Sequence, residues 1–403
     1  MKDVRLEAWQ RKLMMKKKVN YTVKPETPVV RFDKQMTEGM FDISDVAVVV
    51  GMQPTFMRKV VGKKKVLSCN DVYELLEQDA FSETFVPRSK VIDFLLQQKT
   101  EVKSEKHVIR ESNCVLQGDS LRLIGQLPDH SVQCVVTSTP YWAMRVYDGM
   151  KDSVWADGEV CPFGLEQTPE GFVRHSVEVL YRLKSKMIEN GSIWWDVMDT
   201  FNTRTQIRSN AAEALHAMQG KDKKRWSEHS HLRYSAGHSF LKDGEQCFVP
   251  FRIAERASRI GYFVKSIISW CKSSSLPEPQ QSRVSRNVEY VLHFAVQRMP
   301  KFYKERYLST DSTLGGKQVA ESEKLSDFWY LPTSAGRDGH GAQFPLQLPG
   351  RCISISTDPG DLVLDPFAGA GTTLMAARQL NRRYLGFDLS AEYVKLAKRH
   401  TTA

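Results

Sequence analysis

From about residue 113 onward, short apolar runs alternate with longer stretches in which apolar residues return every three or four positions. The short runs read as buried strands and the longer stretches as amphipathic helices. "CVLQGDSLRLIGQLP" reads as strand, turn and helix, and "SVQCVV" as the next strand. "TPEGFVRHSVEVLYRLKSKMIEN" keeps helical spacing up to a turn at Asn190-Gly191, after which 192–197 reads as a strand. "PFRIAERASRIGYFVKSIISWCK" resumes helix then strand, and "RNVEYVLHFAVQ" is a further strand. The chain closes on "DLVLDPFAGAGTTLMAARQLNRRYLGFDLSAEYVKLAKRH", which alternates strand, glycine turn, helix, strand and helix. This alternation predicts an α/β fold on a largely parallel sheet.

Three stretches depart from that rhythm. Residues 1–105 carry two lysine clusters, Lys16 to Lys18 and Lys63 to Lys65, with helical periodicity and few glycines or tryptophans. They predict a small, mainly helical domain, joined through the polar segment 100–113 to a main domain over 106–403. Within it, 43–61 has Ala47 at the fifth position and Gly51 at the ninth, the spacing of a helix-turn-helix, with Met57 and Val60 packing the second helix. "GKKKVLSCNDVYELL" then offers a wing and a helix. A plain helical packing module accounts for the same pattern. Residues 200–243 have no clean period and are rich in Arg, Lys and His, which marks a long functional loop. With 300–340, where "KFYKERY" and "GGKQ" occur, this loop is the expected contact with a polyanionic partner; a solvated surface loop is the plainer reading of each.

Composition narrows the class only modestly. The 403 residues are 41% hydrophobic and 26% charged, as in ordinary soluble globular proteins. No apolar run reaches the ~18 residues of a membrane helix, and the charged amino terminus lacks the apolar core of a secretory signal. A cytoplasmic location follows by default. The formal charge of +10 and pI near 9.1 favour a polyanionic partner. The seven cysteines stand singly, so neither a zinc ribbon nor a redox pair is written in their spacing, and no metal is expected from it.

The closing stretch carries the clearest chemistry. Asp365, Pro366, Phe367, Ala368, Gly369, Ala370 and Gly371 form a turn after a strand, and Thr372 and Thr373 open the next helix. The glycines permit a tight turn and close approach of a ligand to the backbone. The next strand ends in Asp388, where an acid can accept hydrogen bonds from ribose hydroxyls. A third glycine of the dinucleotide fingerprint is missing, which favours a nucleoside without phosphates over NAD. The alternative is a βαβ unit with a glycine-rich turn and no ligand.

"DPFAGAGTT" near the carboxy end, with "TSTPYW" at 137–142 far upstream, resembles the β-class amino-methyltransferases of DNA, specifically the cytosine-N4 branch that carries T-S-P-P-Y-W. Intermediate stretches agree, among them "FGLEQTPEGFV", "NGSIWWDVMDT", "RNVEYVLHFA", "DFWYLP" and "FPLQLPGRCI". The likeness covers roughly 113–400. It implies a Rossmann-like, doubly wound methyltransferase sheet with permuted motif order, and S-adenosylmethionine as cofactor. Phe367, Gly369 and Gly371 would line that cofactor, within the turn from Asp365 to Thr372. Asp388 would take the ribose hydroxyls, Asp119 of "QGD" the adenine, and Phe344 would support the methionine end. The family has proline where this chain has Thr139.

The "TSTPYW" stretch suits attack by an exocyclic amine. Such a nitrogen is a poor nucleophile because its lone pair is delocalised into the base, so acceptors must hold its N–H groups. The Ser138 hydroxyl and the Thr139 carbonyl can do so, and Pro140 restrains the loop. Tyr141 can stack on a base flipped out of the duplex, and Trp142 is either a base contact or a core aromatic. Trp194 and Trp195 read as core; Asp196 and Asp199 as structural or functional alike. Methylation of carbon 5 needs a thiolate, usually in a Pro-Cys turn, and no cysteine follows a proline here. Ser138 favours cytosine over adenine-N6 chemistry, where an aspartate more often stands. The expected function is methylation of cytosine N4 in double-stranded DNA, paired with a restriction endonuclease. The alternatives are an adenine-N6 enzyme and a DNA-binding regulator with a degenerate methyltransferase domain.

Overall fold

Eight segments pair into one mixed sheet: β1 (Cys114–Gln117), β2 (Val132–Ser138), β3 (Met187–Val197), β4 (Phe263–Lys272), β5 (Val288–Ala295), β6 (Phe328–Leu331), β7 (Leu362–Asp365) and β8 (Arg383–Asp388). Their order is β6-β4-β5-β3-β2-β7-β8-β1, and β5 alone runs antiparallel to its neighbours. The computed structural model describes residues 39–78, 84–102, 108–142, 150–202, 205–207, 232–234, 241–272, 281–334 and 344–402.

Ten helices of six or more residues accompany the sheet among the described residues: α1 (Ile43–Val49), α2 (Pro54–Val61), α3 (Cys69–Leu76), α4 (Val91–Val102), α5 (Ser120–Gly125), α6 (Pro169–Lys184), α7 (Val249–Arg259), α8 (Gln347–Ser356), α9 (Thr372–Gln379) and α10 (Ala391–Thr402). α6 and α7 cover one face, where Phe172, Val177, Ile253 and Ala257 pack against Ile193 and Leu292. α8, α9 and α10 cover the other, where Ile353, Leu374 and Val394 pack with Val136, Trp194 and Val363. Helices on both faces of a mostly parallel sheet make this a doubly wound α/β fold, as the alternating pattern predicts. None of the described helices is long and apolar enough to cross a membrane.

One turn expectation fails. Asn190 and Gly191 lie inside β3, which runs unbroken from Met187. A Cβ on Gly191 would come within 2.9 Å of the carbonyls of Gln133 and Ile188, so the glycine serves close strand approach where β2 and β3 shift register.

The region 43–61 forms two short helices around a turn, with Gly51 at φ +74°. Ala47 and Met57 are buried as expected, whereas Val60 is exposed because it lies on the outer face of α2 beside Phe56 and Lys59. A strand at Val66–Ser68 pairs antiparallel with Met40–Asp42, and α3 follows with a Ser68–Asp71 capping box. Packing is continuous between these helices and the sheet layers: Phe85 and Phe94 lie 4.9 and 5.9 Å from the Tyr181 ring of α6, and Arg256 of α7 donates to the Thr84 carbonyl.

The 200–243 stretch lies largely outside the described residues; within it, Thr205–Ile207 pairs antiparallel with Leu232–Tyr234. In 300–334, Lys301 pairs with Asp358 and Asp361, and Arg306 with Asp358. The buried Arg351 holds Glu321 through two nitrogens, at 2.8 and 2.6 Å. Lys301 and Arg306 of "KFYKERY" therefore turn inward and bind carboxylates of this chain.

Candidate active site

The carboxyl ends of β2, β7 and β8 lie side by side, because β7 pairs in parallel with both of the other two. That edge collects the two motifs which the sequence holds more than 220 positions apart. Thr137 Oγ1 donates to Asp365 Oδ1 at 2.7 Å and links the "TSTPYW" strand to the glycine turn. Asp365 also accepts the Phe367 N–H at 3.1 Å. Burial raises its pKa to about 6, against hydrogen bonds from Thr373, Thr137 and Phe367 that favour the charged form.

The turn itself is open on one side. Phe367, Gly369 and Thr372 are partly exposed. Gly369 has φ +49°, and a Cβ there would meet nothing within 4 Å. Gly371 serves packing instead. It is buried at φ +87°, and a Cβ would meet the Ala397 Cβ at 2.9 Å, so its bareness admits α10. Asp388 Oδ2 accepts the Gly369 N–H at 2.9 Å and Oδ1 the Ser390 N–H at 2.8 Å. Asp119, at the end of the neighbouring β1, caps α5 through the Arg122 N–H and accepts the Ser153 hydroxyl at 2.8 Å. Phe344 is half-buried against the cluster on the α8 face. An open turn flanked by two carboxylates suits a nucleoside with ribose hydroxyls.

On the other side, Tyr141 points its hydroxyl into a polar cluster. The oxygen lies 2.6 Å from Glu289 Oε2, 2.9 Å from Asp196 Oδ2 and 3.3 Å from Ser138 Oγ. Ser138 and Asp196 are cross-strand neighbours on β2 and β3, and Glu289 enters from β5. Lys272 Nζ holds the far oxygen of Glu289 at 2.6 Å. Burial, then the Glu289 charge, raises the Asp196 pKa well above the ordinary carboxylate range, with Tyr141, Ser138 and Lys272 offsetting part of it. The Tyr141 hydroxyl is likewise held protonated by burial and the two acids. Asp196 Oδ1 is buried without a hydrogen-bond partner.

Trp142 is 1% exposed, and its indole N–H donates to the Glu166 carbonyl at 3.1 Å. It packs in the core and offers no face to a base, because the chain turns inward after Tyr141. Thr139 is buried with its hydroxyl unpartnered. Pro140 is backed by Gly164, where a Cβ would meet the proline ring at 3.0 Å. Trp194 and Trp195 are core residues as expected, and Asp199 accepts the Phe248 and Val249 N–H groups at the start of α7. Glu289 lies within the family-like stretch "RNVEYVLHFA", but the sequence assigns no role to it or to Lys272. The available signal is a carboxylate inside the otherwise apolar run "VEYVLHFA".

An open glycine turn beside the Ser-Thr-Pro-Tyr loop, at the carboxyl edge of a doubly wound sheet, is the frame of a Rossmann-like methyltransferase. The chain belongs to the N6/N4 methyltransferase family of DNA methylases, whose model matches residues 132–399, and its cofactor is S-adenosylmethionine. It is 29% identical over 296 residues to the type II methyltransferase M.XycI of Xanthomonas campestris pv. cyanopsidis, covering 73% of this chain and 89% of that protein. It is 28% identical over 283 residues to M.Cfr9I of Citrobacter freundii, covering 70% and 85%. Among solved structures, PvuII DNA methyltransferase (cytosine-N4-specific) shares the fold with a TM-score of 0.51 at 20% identity, over 75% of this chain and 90% of the other.

Proposed function

We propose that this chain methylates the N4 amine of cytosine in duplex DNA, as the modification partner of a type II restriction endonuclease. The observation that carries the reading is Ser138 at the end of β2, beside Asp196 and Tyr141 and across Thr137–Asp365 from the open turn. The names of the relatives M.XycI and M.Cfr9I, both type II methyltransferases, support the restriction–modification context. The cytosine-N4 specificity of the PvuII enzyme agrees with the base.

S-adenosylmethionine, when bound, supplies an electrophilic methyl group. Phe367, Gly369 and Thr372 line its place, Asp388 and Asp119 accept from its ribose and adenine ends, and Phe344 supports the methionine end. Ser138 Oγ and the Thr139 carbonyl accept the N–H groups of the target amine and orient its lone pair. The methylated amine must lose a proton, and Asp196 is the acceptor in reach through Ser138. Burial and the Glu289 charge raise its proton affinity, which favours its taking up that proton. The carboxylate anchors on the Tyr141 hydroxyl fix its ring as the platform for an extruded base. The helix-turn-helix at 43–61, with Arg58 and Lys59 exposed on α2, the segment 200–243, and the exposed Lys304 and Lys324 of 300–340 contact the duplex.

To test this, the chain is expressed with a plasmid library of short sites and modified bases are mapped by single-molecule sequencing, confirmed by mass spectrometry of nucleosides. N4-methylcytosine at one short sequence is the expected result. N6-methyladenine instead would reassign the base, and an unmodified plasmid from an active preparation would favour the regulator reading.

A further inference from the structure

Behind the catalytic loop, a second cluster of reactive side chains has no part in the chemistry above. A two-stranded hairpin pairs Ser153 with Cys161 and Val154 with Val160, and it packs on α6. Between them, ligand atoms of Glu159, Cys161 and His175 lie within 4.8 Å of one another. Asp157 is adjacent, its two oxygens 3.2 and 3.3 Å from His175 Nε2.

Each donor is held in place from outside the cluster. His175 stacks flat on Trp155 at 4.0 Å, and its Nδ1 faces Glu166 Oε1 at 3.1 Å. A proton on Nδ1 shared with Glu166 leaves the Nε2 lone pair facing the carboxylates of Glu159, at 3.8 Å, and Asp157, the carboxylate–histidine arrangement that orients metal ligands. Glu159 Oε1 accepts the Gln167 N–H, and its other oxygen rests where a Cβ on Gly171 would stand at 2.8 Å. Cys161 is set by the hairpin register and is 7% exposed. Asp157 is anchored by Arg174 at 2.7 Å.

Preorganised sulfur, nitrogen and oxygen donors around one point fit a borderline-soft divalent ion, whereas magnesium and calcium take oxygen sets. We infer that Glu159, Cys161 and His175 form a zinc site that staples the hairpin to α6. Burial alone would lower the His175 pKa, but hydrogen bonds to Asp157 and Glu166 outweigh it and hold it at about 9. The Cys161 thiol is pushed well up by burial and by Glu166 and Glu159, an effect that a bound dication reverses.

The site bears on the catalytic loop through Glu166. Its carboxylate also accepts the Gly164 N–H beneath Pro140, and its carbonyl accepts the Trp142 indole. Phe163 packs on Phe367 of the glycine turn at 5.3 Å. A zinc staple here fixes the floor of both halves of the active site.

The experiment is elemental analysis of the full chain, purified without a histidine tag, saturated with zinc and passed through a desalting column. About one zinc per chain is expected in the wild type, and a loss of at least tenfold in Cys161→Ser, which is nearly isosteric and keeps the His175 contacts. A cobalt-loaded wild type should show a thiolate-to-cobalt charge-transfer band that Cys161→Ser abolishes. A wild type that retains no zinc overturns the proposal, as does zinc content or a cobalt spectrum unchanged by Cys161→Ser. These readouts need no DNA, so their failure is separate from failure of the methylation reading.

Discussion

The glycine turn and the hook at 137–142 share one edge of the sheet, yet they are held in opposite ways. In the turn, Asp388 receives backbone N–H groups from Gly369 and Ser390, both within twenty positions of it in the chain. In the hook, Ser138, Asp196, Lys272 and Glu289 come from four strands and Tyr141 from the loop after β2, and they contact one another through side chains. Backbone donors stabilise a carboxylate as an anion, which suits the turn to the binding role proposed for it. Side chains packed around a buried acid leave one oxygen unpartnered and its proton affinity high, so reactivity concentrates in the hook. Asp365 stands between the two and shares features of both.

The sharpest way to break that contrast is Ser138→Ala. Turnover should fall by ~10²–10³-fold, the usual cost of one essential acceptor or donor in a preorganised site, while cofactor affinity measured by calorimetry stays unchanged. A variant that also loses the cofactor would merge the two halves. Asp196→Asn should lower turnover and flatten its pH profile. In the wild type the rate should climb as pH rises through the raised Asp196 titration, since only the ionised form accepts a proton; an identical climb in the variant would remove Asp196 from the chemistry.

Asp365→Asn probes the junction. The folded chain binds the Asp365 proton more tightly than the unfolded chain, whose aspartate titrates near ~3.9. Its contribution is therefore most favourable below about pH 4, declines as pH rises to about 6, and is flat above. The whole decline amounts to roughly 3 kcal/mol and should be missing from urea melts of the asparagine variant between those pH values. Asp388→Ala should weaken cofactor binding by about 10–100-fold, because two backbone donors and the ribose lose their acceptor together. Unchanged affinity would contradict the ribose assignment. The smallest effect is expected from Thr139→Val, which removes a buried hydroxyl without a partner: stability should stay level or rise by about 1 kcal/mol, with turnover retained, since the carbonyl is the group assigned to the amine. Loss of turnover would show that the hydroxyl acts on substrate.

The turn was legible because all its parts are close in the chain. Strand, Asp365, Gly369, helix, strand and Asp388 follow one another, and local geometry brings the last acid back to the first glycine. The periodicity also places the sheet strands, except at Asn190-Gly191, where a turn-forming pair lies within β3 because close approach to β2 requires a residue without a side chain. The same glycine motif marks Gly371 as a ligand contact, but its freedom serves the packing of α10. The aromatic Trp142 belongs to the core for a reason no motif carries: the Glu166 carbonyl stands opposite its indole.

By itself, the sequence determined an α/β chain with a glycine turn between two strands and a strand ending in Ser-Thr-Pro-Tyr, because period, glycine placement and short-range motifs are properties of neighbouring residues. Only the tertiary structure decided which charges face Ser138 and Tyr141. Glu289 and Lys272 lie on β5 and β4, and the strand order that brings β5 against β3 is written in no local pattern. The same holds for the sulfur, nitrogen and oxygen donors of Cys161, His175 and Glu159, whose spacing matches no metal motif. They converge because a hairpin lies on a helix, and burial then makes each unpaired charge costly enough to demand a proton or a cation.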